Sequence, residues 1–225
     1  MADPVGVSAS DARRVRVAAR AVARAGLVHA YGHCSLRIDS DHFIVSPAKP
    51  LGLVTPEDAV VVVPTHGALP PEALPEVLAH QYIYRQRRDV SGIVRFQSPN
   101  LTALSTLGLT PKARHGFGAY FAPSAPLHAD PRLVRDSASA AALVEELGPA
   151  RAIVMRGNGA VSVGNTLEEA VVMAWYLEDS ARVELAVLGT GLDGQVLTPA
   201  EAQDRAVTSG RIVERMWDWL TRGDS

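Results

Sequence analysis

The sequence predicts an α/β domain built on a mixed or antiparallel sheet with helices on its faces. Helix-period segments and short β-branched runs interleave along the chain, which is the pattern of a layered α/β fold. Several strand pairs stand too close together for helical crossovers, so those strands must be antiparallel neighbours. The 225 residues, 47% hydrophobic and 20% charged, have an ordinary globular composition and enough length for one large core. A single domain over 1–225 is expected.

The first helix is read over Asp11 to Ala25. Ser8 and Asp11 have capping-box spacing, Val15, Ala18, Ala19 and Val22 make an apolar stripe, and Gly26 ends it. Cys34 to Asp39 and His42 to Ser46 read as two short strands around the Asp39-Ser40-Asp41 turn. Ala59 to Val63 is a β-branched strand closed by Pro64 and His66-Gly67. Glu76 to Arg87 reads as a helix anchored by Val77, Ile83 and Tyr84, and Val90 to Phe96 as a strand. Ser98-Pro99 starts a helix to Gly108, since proline is tolerated at the first helical position. Pro111 to Pro131 reads as an irregular loop, Ser137 to Leu147 as a helix stopped by Gly148. Ala152 to Arg156 and Ala160 to Val163 are strands joined by Gly157-Asn158-Gly159. Thr166-x-x-Glu169 opens a long helix ending near Gly189, and Thr198-x-x-Glu201 a last one carrying Met216, Trp217, Trp219 and Leu220.

A net charge of −2 and a pI near 6.4 give no bulk field for nucleic acid or an anionic membrane. No apolar run approaches the roughly 20 residues of a spanning helix. Met1 to Ala12 lack a basic start followed by an apolar stretch, so no secretory leader is expected. One cysteine, Cys34, forms no internal disulfide. A soluble cytoplasmic protein is expected. Only Lys49 and Lys112 are lysines among many arginines and alanines, a bias read as that of a GC-rich bacterium.

Five places carry candidate chemistry, each beside a plainer reading. Gly32-His33-Cys34-Ser35 is either an anion-binding turn or a tight turn with an exposed histidine. Glu76 is either a general base or a carboxylate favoured by a helix N-terminus, with His80 one turn on. Alternation puts Arg95 and Gln97 on one strand face, towards a site or towards solvent. Asn158 sits in turn chemistry, with no dinucleotide fingerprint and no P-loop. His115, in the longest irregular stretch, is either a proton carrier or a surface histidine.

The order of these pieces resembles the class II aldolase/adducin family. The matching stretches are Gly32 to Arg37, Phe43 to Pro47, Val54 to Asp58, Glu76 to Val90, Ser98-Pro99 and Arg156 to Glu178. The resemblance implies a three-layer α/β/α sandwich on a mixed, mainly antiparallel sheet, assembled as a homotetramer with active sites at subunit contacts. Metal-binding members use three histidines, at the places that here hold Arg95, Gln97 and Asn158. A guanidinium has no lone pair and keeps its charge, and amides are weak ligands for zinc or manganese. No metal or other cofactor is therefore expected.

The family's acid or base corresponds to Glu76. The Gly-His-x-Ser loop and His115-Gly116-Phe117 are similar to the decarboxylase branch. That similarity implies a carbon–carbon lyase that decarboxylates a small hydroxylated aromatic or keto (di)carboxylic acid. Arg95, Gln97 and Asn158, with Ser35 and His33, would bind the substrate's carboxylate and neighbouring oxygen. Glu76 would take a hydroxyl proton and His115 protonate the carbon that loses CO2. Ser46 and Lys49 would lie near the distal anion. Two alternatives remain: retro-aldol cleavage of a hydroxy-keto acid, and a non-catalytic adducin-like assembly module.

Overall fold

A computed structural model describes residues 6–224. Met1 to Val5, the first part of the stretch read for a leader, lie outside the described residues. The helices are α1 (Ala9–Arg24), α2 (Leu78–Gln86), α3 (Pro99–Thr106), α4 (Ser137–Leu147), α5 (Leu167–Leu188), α6 (Pro199–Arg205) and α7 (Ile212–Leu220). The strands are β1 (His33–Arg37), β2 (His42–Val45), β3 (Val61–Pro64), β4 (Gly92–Phe96), β5 (Leu127–His128), β6 (Ala152–Met155) and β7 (Ala160–Gly164). They form one sheet in the order β3-β2-β1-β4-β7-β6-β5. Every pairing is antiparallel except β5 with β6. One core packs α1, α3, α5 and α7 against one face, and a second packs α2 and α4 against the other. The result is the expected α/β/α sandwich on a mixed, mainly antiparallel sheet.

Local signals explain most boundaries. Ser8 Oγ accepts from the Asp11 N–H at the start of α1, and Thr166 Oγ1 does the same for Glu169 at α5. The Glu169 carboxylate, however, accepts from Asn165 N–H rather than from Thr166, so the α5 box is closed one residue early. Gly92 lets α5 start directly over β4, because a Cβ there would lie 2.3 Å from Leu167 Cα.

Three expectations need correction. Glu76 sits in a 3-10 turn, Pro75–Val77, that leads into α2 rather than in the α-helix itself; such short turns are frequent at helix N-termini. The stretch 111–131 contains a 3-10 turn, Gly118–Phe121, and the short strand β5. The last helix is two, α6 and α7, separated by Gly210 and a left-handed Arg211. Leu220 is buried, and Met216 and Trp217 pack against the α1/α5 core. Trp219 stays 47% exposed, edge-on to Trp175, so most of this apolar end is accounted for within one chain. No helix among the described residues is long and apolar enough to cross a membrane.

Candidate active site

β1 and β4 run antiparallel at the sheet centre, with His33 directly opposite Arg95. Cys34, Val94 and Phe96 point into the α1/α5 core, while Ile93 belongs to the α2/α4 core. Alternation therefore sends His33, Ser35, Arg95 and Gln97 to the α2 side. There a cavity of about 550 Å³ opens, lined by His33, Lys49, Glu76, Arg95, Gln97 and Arg135 among others.

Behind the cavity wall runs a chain of hydrogen bonds. His33 Nδ1 lies 2.9 Å from His80 Nε2. His80 Nδ1 lies 2.6 Å from Ser35 Oγ, and Ser35 Oγ lies 2.9 Å from the Tyr84 hydroxyl. Glu76, His80 and Tyr84 follow one another at i+4, one stripe along the segment that faces β1. Both histidines are buried, and burial holds them neutral. His80 is pushed down to about 3, with the Arg95 charge adding to the burial. His33 falls well below its ordinary value for the same reason, reinforced by His80 and Arg95. His33 lines the cavity, and its Nε2 is buried without a hydrogen-bond partner.

The three positions in question for a metal are wired to one another. Asn158 Oδ1 accepts from Arg95 Nη2 at 2.7 Å and from Gln97 Nε2 at 2.8 Å. The turn that reads as hairpin chemistry is what delivers Asn158 here. Gly159, at φ +76°, crosses beneath β4 so closely that a Cβ would lie 2.0 Å from the Phe96 carbonyl oxygen. Burial lowers the Arg95 pKa to about 10, and Glu76 opposes the fall, so the guanidinium stays charged near neutrality. This donor set does not fit a divalent metal: it offers no imidazole, one fixed cation, and amide and guanidinium hydrogens aimed at the single well-placed oxygen. Among the described residues no three His, Cys, Asp or Glu side chains cluster as metal ligands.

Glu76 lines the cavity beside Arg135, whose Nε and Nη2 both donate to Glu76 Oε1, at 2.9 and 2.6 Å. Arg135, just before α4, is a site residue that the sequence reading missed. A cation at the N-terminal end of a helix opposes the helix dipole, and that misplacement was the available signal. Tyr84 was read only as a packing anchor.

The remaining candidates are held by other partners. Lys49 lines the cavity, but its Nζ is 2.8 Å from Asp58 Oδ2. Ser35 is fully buried, its hydroxyl committed to His80 and Tyr84. Ser46 Oγ accepts from the Cys34 N–H and ties the end of β2 to β1. His115 packs edge-on to Phe117 with Nε2 3.2 Å from Asp179 Oδ2 on α5, an ion-pair distance without hydrogen-bond alignment. It thus lies across the sheet from the cavity of its own chain, because the loop before β5 docks on the α5 layer.

The profile described as the Class II Aldolase and Adducin N-terminal domain matches residues 13–185. A 3,4-dihydroxyphthalate decarboxylase of Terrabacter sp. (strain DBF63) is 31% identical over 218 residues, 87% of this chain and 88% of that one. A second 3,4-dihydroxyphthalate decarboxylase, from Arthrobacter keyseri, is 29% identical over 198 residues, 79% of this chain and 78% of that one. Among solved structures, the L-fuculose-1-phosphate aldolase from Thermus thermophilus superposes with a TM-score of 0.73 at 26% identity, covering 84% of this chain and 100% of that one. With seven strands in the expected order of layers and more than half its length matched, the chain belongs to the class II aldolase/adducin family.

Proposed function

We propose that this protein is a lyase that removes CO2 from a small hydroxylated aromatic dicarboxylate without a divalent metal. The observation that carries the reading is the cavity wall itself: two guanidinium residues, Arg95 and Arg135, line it together with Glu76 and with His33, whose Nε2 has no partner. Two fixed cations suit two carboxylates, since guanidinium and carboxylate pair in a bidentate fork. The activity named for the two decarboxylase relatives, on a dihydroxylated dicarboxylate, points the same way.

One substrate carboxylate pairs with Arg95, where Gln97 and Asn158 fix the guanidinium. The other competes for Arg135 and so releases Glu76 Oε1. Glu76 then takes the proton of the ring hydroxyl. His33 Nε2, which picks up a proton as the dianion enters, gives it to the ring carbon that bears the departing carboxylate. The ring becomes ketone-like, the carbon–carbon bond breaks, and its electron pair returns through the ring to the oxygen. CO2 leaves, and Glu76 returns its proton to that oxygen. The balance is one solvent proton consumed for each CO2 released. Arg95 supplies the fixed positive charge that stabilises the developing oxyanion. The carbon-protonating role passes from His115 to His33, because His115 lies across the sheet in its own chain. Tyr31 and Leu133, exposed and apolar at the cavity rim, suit a contact with a neighbouring subunit, and a cytoplasmic homotetramer is part of the proposal.

A CO2-release screen of the purified protein tests this, with hydroxylated aromatic mono- and dicarboxylates in one arm and hydroxy-keto acids in the other. Turnover is expected with a hydroxylated aromatic dicarboxylate. Aldehyde release from a hydroxy-keto acid would favour the retro-aldol alternative, and no turnover in either arm the assembly module.

A further inference from the structure

We infer that Tyr84, Ser35 and His80 are positioning residues that fix the proton of His33 on Nδ1 and so keep its Nε2, buried in the cavity wall, as a bare lone pair. This deepens the reading of the cavity as a site of proton transfer and rests on it for its catalytic meaning, though not for its geometry.

The direction of the chain follows from its two ends. At the far end the Tyr84 hydroxyl reaches the Ser91 carbonyl at 3.4 Å, and a carbonyl can only accept. That carbonyl also takes the Arg37 N–H at 2.9 Å, which leaves its second lone pair for Tyr84. With the tyrosine proton turned to Ser91, Ser35 donates to the Tyr84 oxygen. His80 Nδ1–H then donates to Ser35 Oγ, and His33 Nδ1–H donates to His80 Nε2. Each group gives one hydrogen bond and receives one, except that His33 Nε2 receives none, which matches its lack of a partner.

The near end selects the same direction. Arg95 is the cross-strand neighbour of His33, and a guanidinium offers only hydrogens. A lone pair beside it is favoured, whereas the opposite chain direction would set an imidazole N–H against a cation. An acceptor-only group at one end and a donor-only group at the other thus polarise the four side chains in one sense. The catalytic consequence is that Nε2 needs no prior tautomer exchange before it takes up a proton. The triad histidines of hydrolases depend on a buried partner for the same service.

The test reads histidine tautomers directly, by long-range ¹H–¹⁵N correlation on the whole ligand-free protein. In the wild type both His33 and His80 are expected with protonated Nδ1 and bare Nε2. In Ser35→Ala, His80 loses the oxygen that holds its Nδ1–H. A buried orphan N–H costs more than a bare nitrogen against a methyl group, so both histidines are expected to shift to Nε2–H. With a turned-over substrate, kcat is expected to fall by about 10²-fold in that variant, with KM unchanged. Tyr84→Phe, which keeps the ring packed on Phe43, is expected to give a mixture of tautomers. A wild-type His33 protonated on Nε2 would overturn the inference, as would wild-type tautomers in both variants. Because the spectra need no substrate, a protein that releases no CO2 would refute the proposed reaction and leave this inference standing.

Discussion

Replacing Arg95, Gln97 and Asn158 together by histidine should convert a cavity whose donors do not suit a divalent metal into one that binds it. The magnitude follows from the geometry. Arg95 Nη2 and Gln97 Nε2 meet at one atom, Asn158 Oδ1, at 2.7 and 2.8 Å, so the three side chains already converge on one point. A cation there would sit about 4 Å from the guanidinium carbon. At an effective dielectric near 20 the repulsion is about 4 kcal/mol per unit of cation charge, or about 8 kcal/mol for a dication. That alone weakens binding by roughly 10⁵- to 10⁶-fold. Arg95→His removes the repulsion but supplies one imidazole between two amides, and should not hold zinc alone. The triple variant places three imidazoles about the same point, as catalytic zinc sites do. Zinc titration by calorimetry, followed by gel filtration and metal analysis, reads the outcome. One equivalent should stay with the triple variant, and none with the wild type or Arg95→His. Tight stoichiometric metal in the wild type would refute the electrostatic reasoning. No uptake by the triple variant would refute the convergence of the three side chains.

Glu76→Gln keeps the size and the Arg135 contact but removes proton uptake, so turnover should fall by about 10²-fold or more with circular dichroism unchanged; near wild-type turnover would leave Glu76 a partner for Arg135 only. Buried neutral histidines also set a pH limit on the fold. His80 is pushed down to about 3 from an ordinary 6.5, so below about 6.5 the unfolded chain binds protons that the folded one refuses. Stability should therefore be full above pH 6.5 and decline as pH falls toward 3, by on the order of 1 kcal/mol per unit for each such histidine. Urea unfolding across that range reads it, and a flat profile would mean that His80 is protonated in the fold. Light scattering at micromolar concentration should report a tetramer, and a monomer would remove the subunit contact from the account.

The sheet and its helices were legible because their signals are local. Ser8, Thr166 and Thr198 cap helices as their spacing indicates, and alternation in β4 puts Arg95 and Gln97 on one face. The last helix was misread because Thr198 marks a start, whereas the break at Gly210 and Arg211 needs the packing of α7 on α1 and α5 to be seen. The site was legible only in part. Asn158 looks like a turn residue, and it is one, yet the same turn carries it to Arg95. Arg135 meets Glu76 across 59 residues of sequence, and no local pattern encodes that meeting. Ser35 and Tyr84 are buried partners of His80, a role that becomes visible once β1 faces α2. His115 carried a proton-transfer expectation from its loop, but a loop's composition does not say on which side of a sheet it will dock.

Metal-free decarboxylation through protonation of a ring carbon is tested by turnover of a hydroxylated aromatic dicarboxylate in D2O with excess chelator, with the product read by proton NMR. CO2 release is expected at the same rate with and without chelator, with one deuterium on the carbon that carried the lost carboxylate. Loss of activity on chelation with recovery on adding back metal, or a product without deuterium at that carbon, would contradict it.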